Sequence, residues 1–438
     1  MWTIERDPGL RSTIVAVSML DRAPDRTKLL SRVERAVRDI PRLRQVVAPP
    51  AIGNLTPRWA DVDDVNLDYH YRTVATPDPR DRRWLLEFAA AVAQPGFDKS
   101  RPLWEMVVVE GLESGGAALL LKVHHAVTDG VGGMQLAMTL LDASPDSEHP
   151  IIGPATEHSA SQPTNRPFPA RVVAAAGQVM ANAVKLPELP QTVGDAMRTA
   201  LSIGRLVAPA GGRRSSVLAG HSLDWRFDVC ERPLDDLKRA RAAANGSIND
   251  VFLAALAGGL HRYHLAHGQK IEELRLSLPV SLRKPDDPPG GNKFVPVRFA
   301  LPISELDPIT RVQQVRAVSR QWRNEPALPL TEAIAGALNI LPPPLTTAVM
   351  GSLLKGVDLV ATNVPGMPVP CYLAGAEVTR QFAFAPLSGA AVNAALLSHV
   401  GTACIGLNMD RKAVADPDFL MTCIAEGLDE VIAVGQAT

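Results

Sequence analysis

The pattern of hydrophobic and polar positions predicts alternating strands and helices over the first 143 residues. Short apolar runs flanked by turn residues indicate strands, and the turn GLESGG between two of them indicates an antiparallel hairpin. The predicted strands cover residues 12–20, 65–72, 104–109 and 117–123. Elsewhere apolar residues recur every three or four positions, which is typical of helices with one buried face. The predicted helices cover residues 25–40, 84–94 and 130–141.

The same two patterns, short apolar runs and apolar residues at every third or fourth position, occur again after residue 222. The predicted helices cover residues 234–245, 249–266, 308–323, 330–341 and 417–434. The predicted strands cover residues 274–278, 294–301, 359–363, 376–382, 390–398 and 402–408. Asn249 is expected to be the N-cap of the second helix, because its side chain can accept a hydrogen bond from the first helical turn.

Between the two halves the amino-acid composition changes. Residues 144–221 are rich in Pro, Ser and Ala and contain only two Ala-rich helical pieces, at 171–186 and 193–207. The sequence therefore predicts an α/β protein of two lobes with mixed sheets and helices, joined by a long crossover. The predicted boundaries are 1–143 for the N-terminal lobe, 144–221 for the crossover and 222–438 for the C-terminal lobe.

Composition narrows the class of protein. Lys and Arg number 45 against 46 Asp and Glu, so the formal charge of −1 offers no general basic field for nucleic acid. The four cysteines are widely spaced and form no CxxC pair, which is typical of reduced thiols. The N-terminal residues lack the order of a signal peptide, and no apolar stretch reaches the roughly 18 residues of a membrane span. We therefore expect a cytoplasmic protein.

One segment, His124-His125-Ala126-Val127-Thr128-Asp129-Gly130, stands at the end of an apolar strand and the start of a helix. Successive side chains on a strand point to opposite faces, so the two histidines are not expected to share one target. One of them is expected to face a cavity, where an imidazole can act as a general base near neutral pH. Asp129 precedes the helix, where the helix dipole favours a carboxylate.

Two other interpretations of the histidines are open on the residues alone. Both could be ordinary polar residues with satisfied hydrogen bonds. A metal site is disfavoured, because adjacent strand positions make poor co-ligands and no third ligand is evident, so no metal is expected. The series His261, His264 and His267 could suggest a second metal site, but solvent-facing histidines near a helix end are the favoured interpretation.

The string HHAVTDG resembles the active-site motif of the CoA-dependent acyltransferase superfamily, which includes chloramphenicol acetyltransferase and the condensation domains of peptide synthetases. Further strings, in the same order, resemble the bacterial wax ester synthase/diacylglycerol acyltransferase family. They are SRPLWE (100–105), SINDVFLAAL (247–256), LPVSLR (278–283), GGN (290–292) and ATNVPGMPVPCYLAGAEV (361–378). The resemblance implies a chloramphenicol acetyltransferase-like fold of two lobes.

The resemblance also implies roles for individual residues. His125 is expected to be the general base that takes a proton from an acceptor hydroxyl, with His124 supporting the turn. Asp129 is expected to pair with Arg283 and so to fix the turn that carries His125. Gly130 is expected to allow close backbone approach at the helix start.

The resemblance marks a second position as important for activity. The pair Asn249 and Asp250 could both cap a helix and shape the channel that receives CoA. The groups that stabilise the developing oxyanion cannot be assigned from the sequence.

The implied activity is an O-acyltransferase that joins a long-chain acyl group from acyl-CoA to diacylglycerol or a fatty alcohol. Acyl-CoA is then a co-substrate, and no cofactor is expected. The alternatives are a condensation-type enzyme with another acceptor and a catalytically weak lipid-binding or droplet-associated relative. Peripheral contact with a membrane or lipid droplet is a further hypothesis, carried by the crossover helices and the basic residues Lys185, Arg198, Arg205, Arg213 and Arg214.

Overall fold

The computed structural model describes residues 2, 4–48, 57–78, 80–147, 151, 214–281, 294–323, 347–348, 350–351 and 354–436. Several sequence predictions lie outside these residues: the helix at 330–341, the crossover helices at 171–186 and 193–207, the string GGN at 290–292, and Arg283. Within the described part, two six-stranded sheets and a two-stranded ribbon are flanked by helices. None of the described helices is long and apolar enough to cross a membrane.

We number the elements of the described residues in chain order. The strands are β1 (Thr13–Leu20), β2 (Gln45–Ala48), β3 (Arg58–Asp61), β4 (Tyr71–Ala75), β5 (Trp104–Glu110), β6 (Ala117–His124), β7 (Trp225–Pro233), β8 (Glu273–Ser281), β9 (Phe294–Pro302), β10 (Leu359–Val364), β11 (Tyr372–Leu373), β12 (Ala376–Phe384), β13 (Val392–His399) and β14 (Thr402–Asp410). The α-helices are α1 (Arg26–Asp39), α2 (Leu67–His70), α3 (Arg82–Ala93), α4 (Gly130–Met138), α5 (Leu234–Ala243), α6 (Ile248–Ala266), α7 (Pro308–Arg323) and α8 (Pro417–Val434).

The first sheet has the strand order β11-β12-β1-β6-β5-β4. The predicted hairpin is confirmed, because β5 and β6 pair antiparallel across the GLESGG turn. β1 lies between β6 and β12 and pairs antiparallel with both, with Val15 opposite Phe384 on the β12 side. One apolar face packs against α1 and α4, and the other packs against α3.

Strands β11 and β12 come from the second half of the chain, so pairing in the first sheet crosses the predicted lobe boundary between 1–143 and 222–438. The sequence predicts the strand at 376–382 and not the short β11, and it does not show which strand β12 pairs with, because pairing partners can be several hundred residues apart. The strand that ends in His124 is joined through β1 to a segment of the C-terminal half.

The second sheet has the order β7-β14-β13-β10-β8-β9, in which β10 is parallel to both β13 and β8. Helices α6 and α8 pack closely against each other and contribute to the core of this lobe together with the strands. One face of the sheet meets the first lobe, where the Phe227 and Phe384 rings stack with centroids 4.0 Å apart. Arg83 of α3 donates to the Phe227 carbonyl oxygen at 2.8 Å and to Asp228 at 3.0 Å. The two sheets therefore meet in one continuous apolar contact.

Two local predictions are wrong. Residues 65–72 were expected to form a strand, but Asn66 accepts a hydrogen bond from the Tyr69 N–H at 3.1 Å and begins the short helix α2, so β4 starts only at Tyr71. Asn249 is not the N-cap of α6. Ser247 is the cap, because its hydroxyl accepts from the Asp250 N–H at 3.2 Å while the Asp250 carboxylate accepts from the Ser247 N–H at 2.8 Å.

Candidate active site

The turn that holds the two histidines begins where β6 ends. Residues 124–130, which we call the HHxxxDG turn, leave the sheet after His124 and enter α4 at Gly130. The His125 N–H donates to the Ser12 carbonyl oxygen at 2.7 Å, and the Val127 N–H donates to the His124 carbonyl oxygen at 2.9 Å. The turn is thus tied to the residues that precede β1.

His124 is fully buried. Its Nδ1 accepts a hydrogen bond from the Ala126 N–H at 2.9 Å, and its Nε2 lies 2.9 Å from a carboxylate oxygen of Glu5. The rings of Trp2 and Phe97 meet the imidazole edge-on, each with a centroid distance of 5.9 Å. Both ring nitrogens therefore have protein neighbours, which fits the predicted supporting role better than proton transfer to a substrate.

His125 is half-buried, in contrast to its neighbour. Loss of solvent around the ring lowers the pKa of His125 to about 4, and the neighbouring His124 acts in the same direction. The negative charge of Asp129 acts in the opposite direction and favours the protonated ring. His125 is consequently neutral at physiological pH, the protonation state that a general base requires.

Asp129 is buried and is the N-cap of α4. Its Oδ1 accepts a hydrogen bond from the Gly132 N–H at 2.8 Å. Its predicted partner, Arg283, lies outside the described residues, so that pairing stays a prediction. The cap already explains how the carboxylate fixes the end of the HHxxxDG turn, because it anchors the first turn of the following helix.

Gly130 allows a close approach between α4 and the second sheet. A Cβ atom at this position would lie 2.8 Å from a methyl group of Val364, the last residue of β10. That separation is far shorter than an ordinary carbon–carbon contact, so a side chain would push the HHxxxDG turn away from β10. Gly130 thus brings the turn next to the loop that follows β10.

That loop joins the two sheets near the site. The Gly366 N–H donates to the Ser398 hydroxyl at 3.1 Å, and the Val400 N–H donates to the Met367 carbonyl oxygen at 2.9 Å. Buried His399 lies with Nε2 2.6 Å from the Val378 carbonyl oxygen, on β12 of the first sheet. The loop after β10 and the end of β13 are therefore held in fixed positions beside the HHxxxDG turn.

The predicted pair on α6 is also buried. Asp250 accepts from the Ser247 hydroxyl at 2.7 Å and from the Ser319 hydroxyl at 3.0 Å, so its carboxylate joins the start of α6 to α7. The Nδ2 of Asn249 has no hydrogen-bond partner in the described part of the chain. The described contacts of Asp250 are structural, and a role for either residue toward CoA stays a prediction.

The histidine series on α6 is not solvent-facing as predicted, except for His267. His261 and His264 are buried, because α6 packs against α5, α7 and α8 rather than lying on the surface. The Nε2 of His264 lies 2.7 Å from the Ser215 hydroxyl, and its Nδ1 lies 2.7 Å from the Leu260 carbonyl oxygen. The described residues contain no group of three or more His, Cys, Asp or Glu side chains placed to hold a metal ion.

The contribution of Glu5 was not found from the sequence. It lies about 120 residues before His124, and nothing in the string MWTIERDPGL distinguishes it from a solvated surface acid. The contact arises only because the residues before β1 fold back over the end of β6.

Comparison with known proteins gives consistent results over nearly the whole chain. Residues 11–252 match the model of the wax ester synthase/diacylglycerol acyltransferase catalytic domain, and residues 290–431 match that of the WS/DGAT C-terminal domain. A Mycobacterium tuberculosis H37Rv protein named as a diacylglycerol O-acyltransferase is 36% identical, over 98% of this chain and 89% of its own. A Mycobacterium bovis protein with the same description is 32% identical, over 87% of this chain and 86% of its own.

Solved structures show the same fold. The wax ester synthase/diacylglycerol acyltransferase from Marinobacter aquaeolei VT8 aligns with a TM-score of 0.61 at 20% identity, covering 99% of this chain and 98% of that one. The first condensation domain of the calcium-dependent antibiotic synthetase aligns with a TM-score of 0.61 at 15% identity, covering 99% and 94%. The predicted two-lobed, chloramphenicol acetyltransferase-like fold is confirmed. By its sequence, this chain belongs to the wax ester synthase/diacylglycerol acyltransferase family and is an acyltransferase.

Proposed function

We propose that the protein transfers a long-chain acyl group from acyl-CoA to the hydroxyl of diacylglycerol or of a fatty alcohol, with His125 as the general base. The observation that carries the proposal is the contrast between the two histidines. His124 is buried with both ring nitrogens against protein atoms, whereas His125, the first residue after the strand, is half-buried and neutral.

In the proposed reaction, a neutral nitrogen of His125 takes the proton of the acceptor hydroxyl as its oxygen attacks the thioester carbonyl. The tetrahedral intermediate collapses to the ester and expels the CoA thiolate, which takes the proton from the imidazolium. No covalent acyl-enzyme is required, since the thiolate leaves readily once the hydroxyl oxygen has been made nucleophilic. A well-placed general base contributes about 10² to 10⁴-fold to such a step.

Two features of the HHxxxDG turn support this chemistry. The low pKa of His125 keeps the ring unprotonated before the substrate binds, and the nearby charge of Asp129 favours the imidazolium that forms during the reaction. The hydrogen bond from Gly132 to Asp129 fixes the carboxylate that supplies this charge. A further ion pair of Asp129 with Arg283 is part of the proposal, as is a role for Asn249 and Asp250 on the CoA side.

The test follows free thiol released from palmitoyl-CoA, with no acceptor, with diacylglycerol and with hexadecanol, each acceptor presented in liposomes. We expect acceptor-dependent release that falls by at least 100-fold in His125→Ala, because the base is lost. His267→Ala is the matched control, since His267 is exposed on α6, and it should retain wild-type rates.

The relative rates with the two lipids identify the acceptor. Equal release by wild type and His125→Ala with both lipids would contradict the proposed base. Release with neither lipid would favour a lipid-binding protein or a different acceptor. Flotation of the same mixtures reports the proposed peripheral contact with lipid: protein that rises with the liposomes supports it, and protein that stays in the lower fractions contradicts it.

A further inference from the structure

We propose that Glu5 is a positioning residue for acyl transfer, acting through His124 on the turn that carries His125. The inference rests on the proposed function, and it extends the site to a residue outside the HHxxxDG turn. It is carried by a ring of contacts that joins the segment before β1 to the end of β6.

The ring of contacts passes through four residues. A carboxylate oxygen of Glu5 accepts from the Ser12 N–H at 2.6 Å and lies 2.9 Å from Nε2 of His124. The Ser12 carbonyl oxygen in turn accepts from the His125 N–H at 2.7 Å. Because His124 and His125 are joined by a peptide bond, the ring closes. A displacement of Glu5 would therefore act on both histidines at once.

The hydrogen bond at the other nitrogen assigns the tautomer of His124. A backbone N–H can only donate, so Nδ1, which faces the Ala126 N–H, must be unprotonated. In the neutral ring the hydrogen then lies on Nε2, 2.9 Å from the Glu5 carboxylate, which can only accept when ionised. In this way Glu5 favours the Nε2–H tautomer of His124. Only this tautomer can accept the hydrogen bond from the Ala126 N–H that stabilises the turn.

The surroundings make this contact strong. The Glu5 side chain is only 10% exposed, and the edges of Trp2 and Phe97 enclose His124. Burial by itself would raise the pKa of Glu5, but the contact with His124 and the hydrogen bond from Ser12 outweigh it and lower the pKa. Glu5 is therefore ionised at neutral pH, and its carboxylate lies close to Nε2 of His124 at a buried position where solvent screens their interaction little.

Loss of the Glu5 carboxylate should leave the turn folded, but the His125 side chain should no longer be held in one orientation. The ring of His124 could then take up the other tautomer, in which Nδ1 carries a hydrogen and repels the Ala126 N–H. His125, one residue away, would lose its fixed direction. Partners that orient a functional histidine from behind are typically worth 10- to 100-fold, on the scale of groups that support metal-binding histidines. We expect the effect in kcat rather than in KM, because Glu5 is buried and its contacts are with His124 and the Ser12 backbone.

The experiment compares Glu5→Ala, Glu5→Gln and Asp7→Asn in the full chain, with palmitoyl-CoA and the better acceptor. We expect kcat to fall about 10- to 100-fold in Glu5→Ala with KM within twofold, and less in Glu5→Gln, whose amide oxygen can still accept from both donors. Asp7→Asn is the control, because Asp7 anchors the same segment through its ion pair with Lys355 but does not touch His124. An equal fall in Asp7→Asn would mean that anchoring of the segment, and not the Glu5 contact, matters.

A double-mutant cycle tests whether the effect passes through His124. In His124→Asn the amide can still face the Ala126 N–H, but it cannot reach Glu5. Adding Glu5→Ala to this variant should change kcat by less than about twofold if the two residues act as one unit. Full additivity of the two single effects would overturn the proposal.

A second readout does not depend on activity. With ¹⁵N-labelled histidine, the ring nitrogens of His124 are identified by their loss in His124→Asn. We expect the Nε2–H tautomer in the wild type and in Asp7→Asn, and a shift away from it in Glu5→Ala. An unchanged tautomer in Glu5→Ala would overturn the proposal even if acyl transfer is observed. A protein with this tautomer shift but no acyl transfer would instead contradict the proposed function alone.

Discussion

At the scale of single residues, the site depends on the different surroundings of two adjacent histidines, His124 and His125. Both are histidines, one the last residue of β6 and the other the next residue in the turn, yet one is enclosed by Glu5, Trp2 and Phe97 while the other remains half-buried. β6 ends between the two residues, and the packing around each ring then decides its chemistry. The lowered pKa of His125 is therefore a consequence of its environment and not of its residue type.

The pH dependence of activity should report this environment. A general base works when it is unprotonated, and the pKa of His125 is lowered to about 4, so activity should be retained well below the usual histidine pKa. We expect kcat/KM to be flat from pH 8 to about 6 and to fall only below about pH 5. The measurement is the initial rate of thiol release at each pH, with circular dichroism as the control for folding. A half-maximal rate near pH 6.5 would contradict a lowered pKa.

At the scale of elements, the second lobe depends on close contact between α6 and α8. A Cβ atom at Gly259 would lie 2.7 Å from the Cys423 carbonyl oxygen, and one at Gly427 would lie 2.7 Å from the Gly259 backbone nitrogen. Each glycine thus faces the backbone of the other helix, which cannot move aside as a flexible side chain can. The two glycines set the distance at which the helices pack.

Gly427→Ala should therefore destabilise the protein. Alanine gains about 1 kcal/mol in helix propensity over glycine, but overpacking against rigid backbone costs about 1–3 kcal/mol or more. We expect a net loss in the free energy of unfolding, measured by chemical denaturation. Thr422→Ala, at an exposed position of the same helix, is the control and should change stability by less than about 0.5 kcal/mol. Equal or higher stability of Gly427→Ala would show that the helices can separate at no cost.

At the scale of the whole molecule, the second half of the chain contributes strands to both sheets. β11 and β12 complete the first sheet from the second half of the sequence, and Asp7 near the N-terminus forms an ion pair with Lys355. The last residue of β10, Val364, then lies against α4 at Gly130. The site therefore lies where both halves are tied together, so its geometry depends on the folding of the entire chain.

Buried histidines across both lobes predict a loss of stability in mild acid. Burial lowers the pKa of His70, His264 and His399 below the value of 6.5 expected in the unfolded chain. As the pH falls through 6.5, the unfolded chain therefore takes up protons that the folded protein does not, and stability present above this pH is lost. Buried Asp142 and Asp358 have raised pKa values and act in the opposite direction at lower pH. The informative window is therefore pH 7.5 to 6.

We expect the melting temperature to fall steadily across this window, as measured by differential scanning calorimetry. His399→Gln, which keeps a donor that can reach the Val378 carbonyl oxygen, should show a shallower fall than the wild type. A melting temperature that is constant or rises between pH 7.5 and 6 would contradict the lowered histidine pKa values.

The sequence by itself determined the features that depend on local order. The hairpin of β5 and β6, the bounds of α8 and the strand-to-turn position of the HHxxxDG turn follow from short-range periodicity and turn residues. The family followed from several strings in a fixed order. The predicted start of an element was wrong at two places where a side chain caps a helix. These are Asn66, which begins α2, and Ser247, which begins α6.

Only the tertiary structure decided what depends on distant neighbours. The pairing of β12 with β1, the burial of His264 and the contact of Glu5 with His124 each join residues that no periodicity relates. The pKa of His125 belongs to the same group, because desolvation is set by whatever packs around the ring. Periodicity indicates which face of an element is buried, but it does not indicate which distant residue packs against that face. The chemistry of this site depends on such packing partners, as Glu5 beside His124 shows.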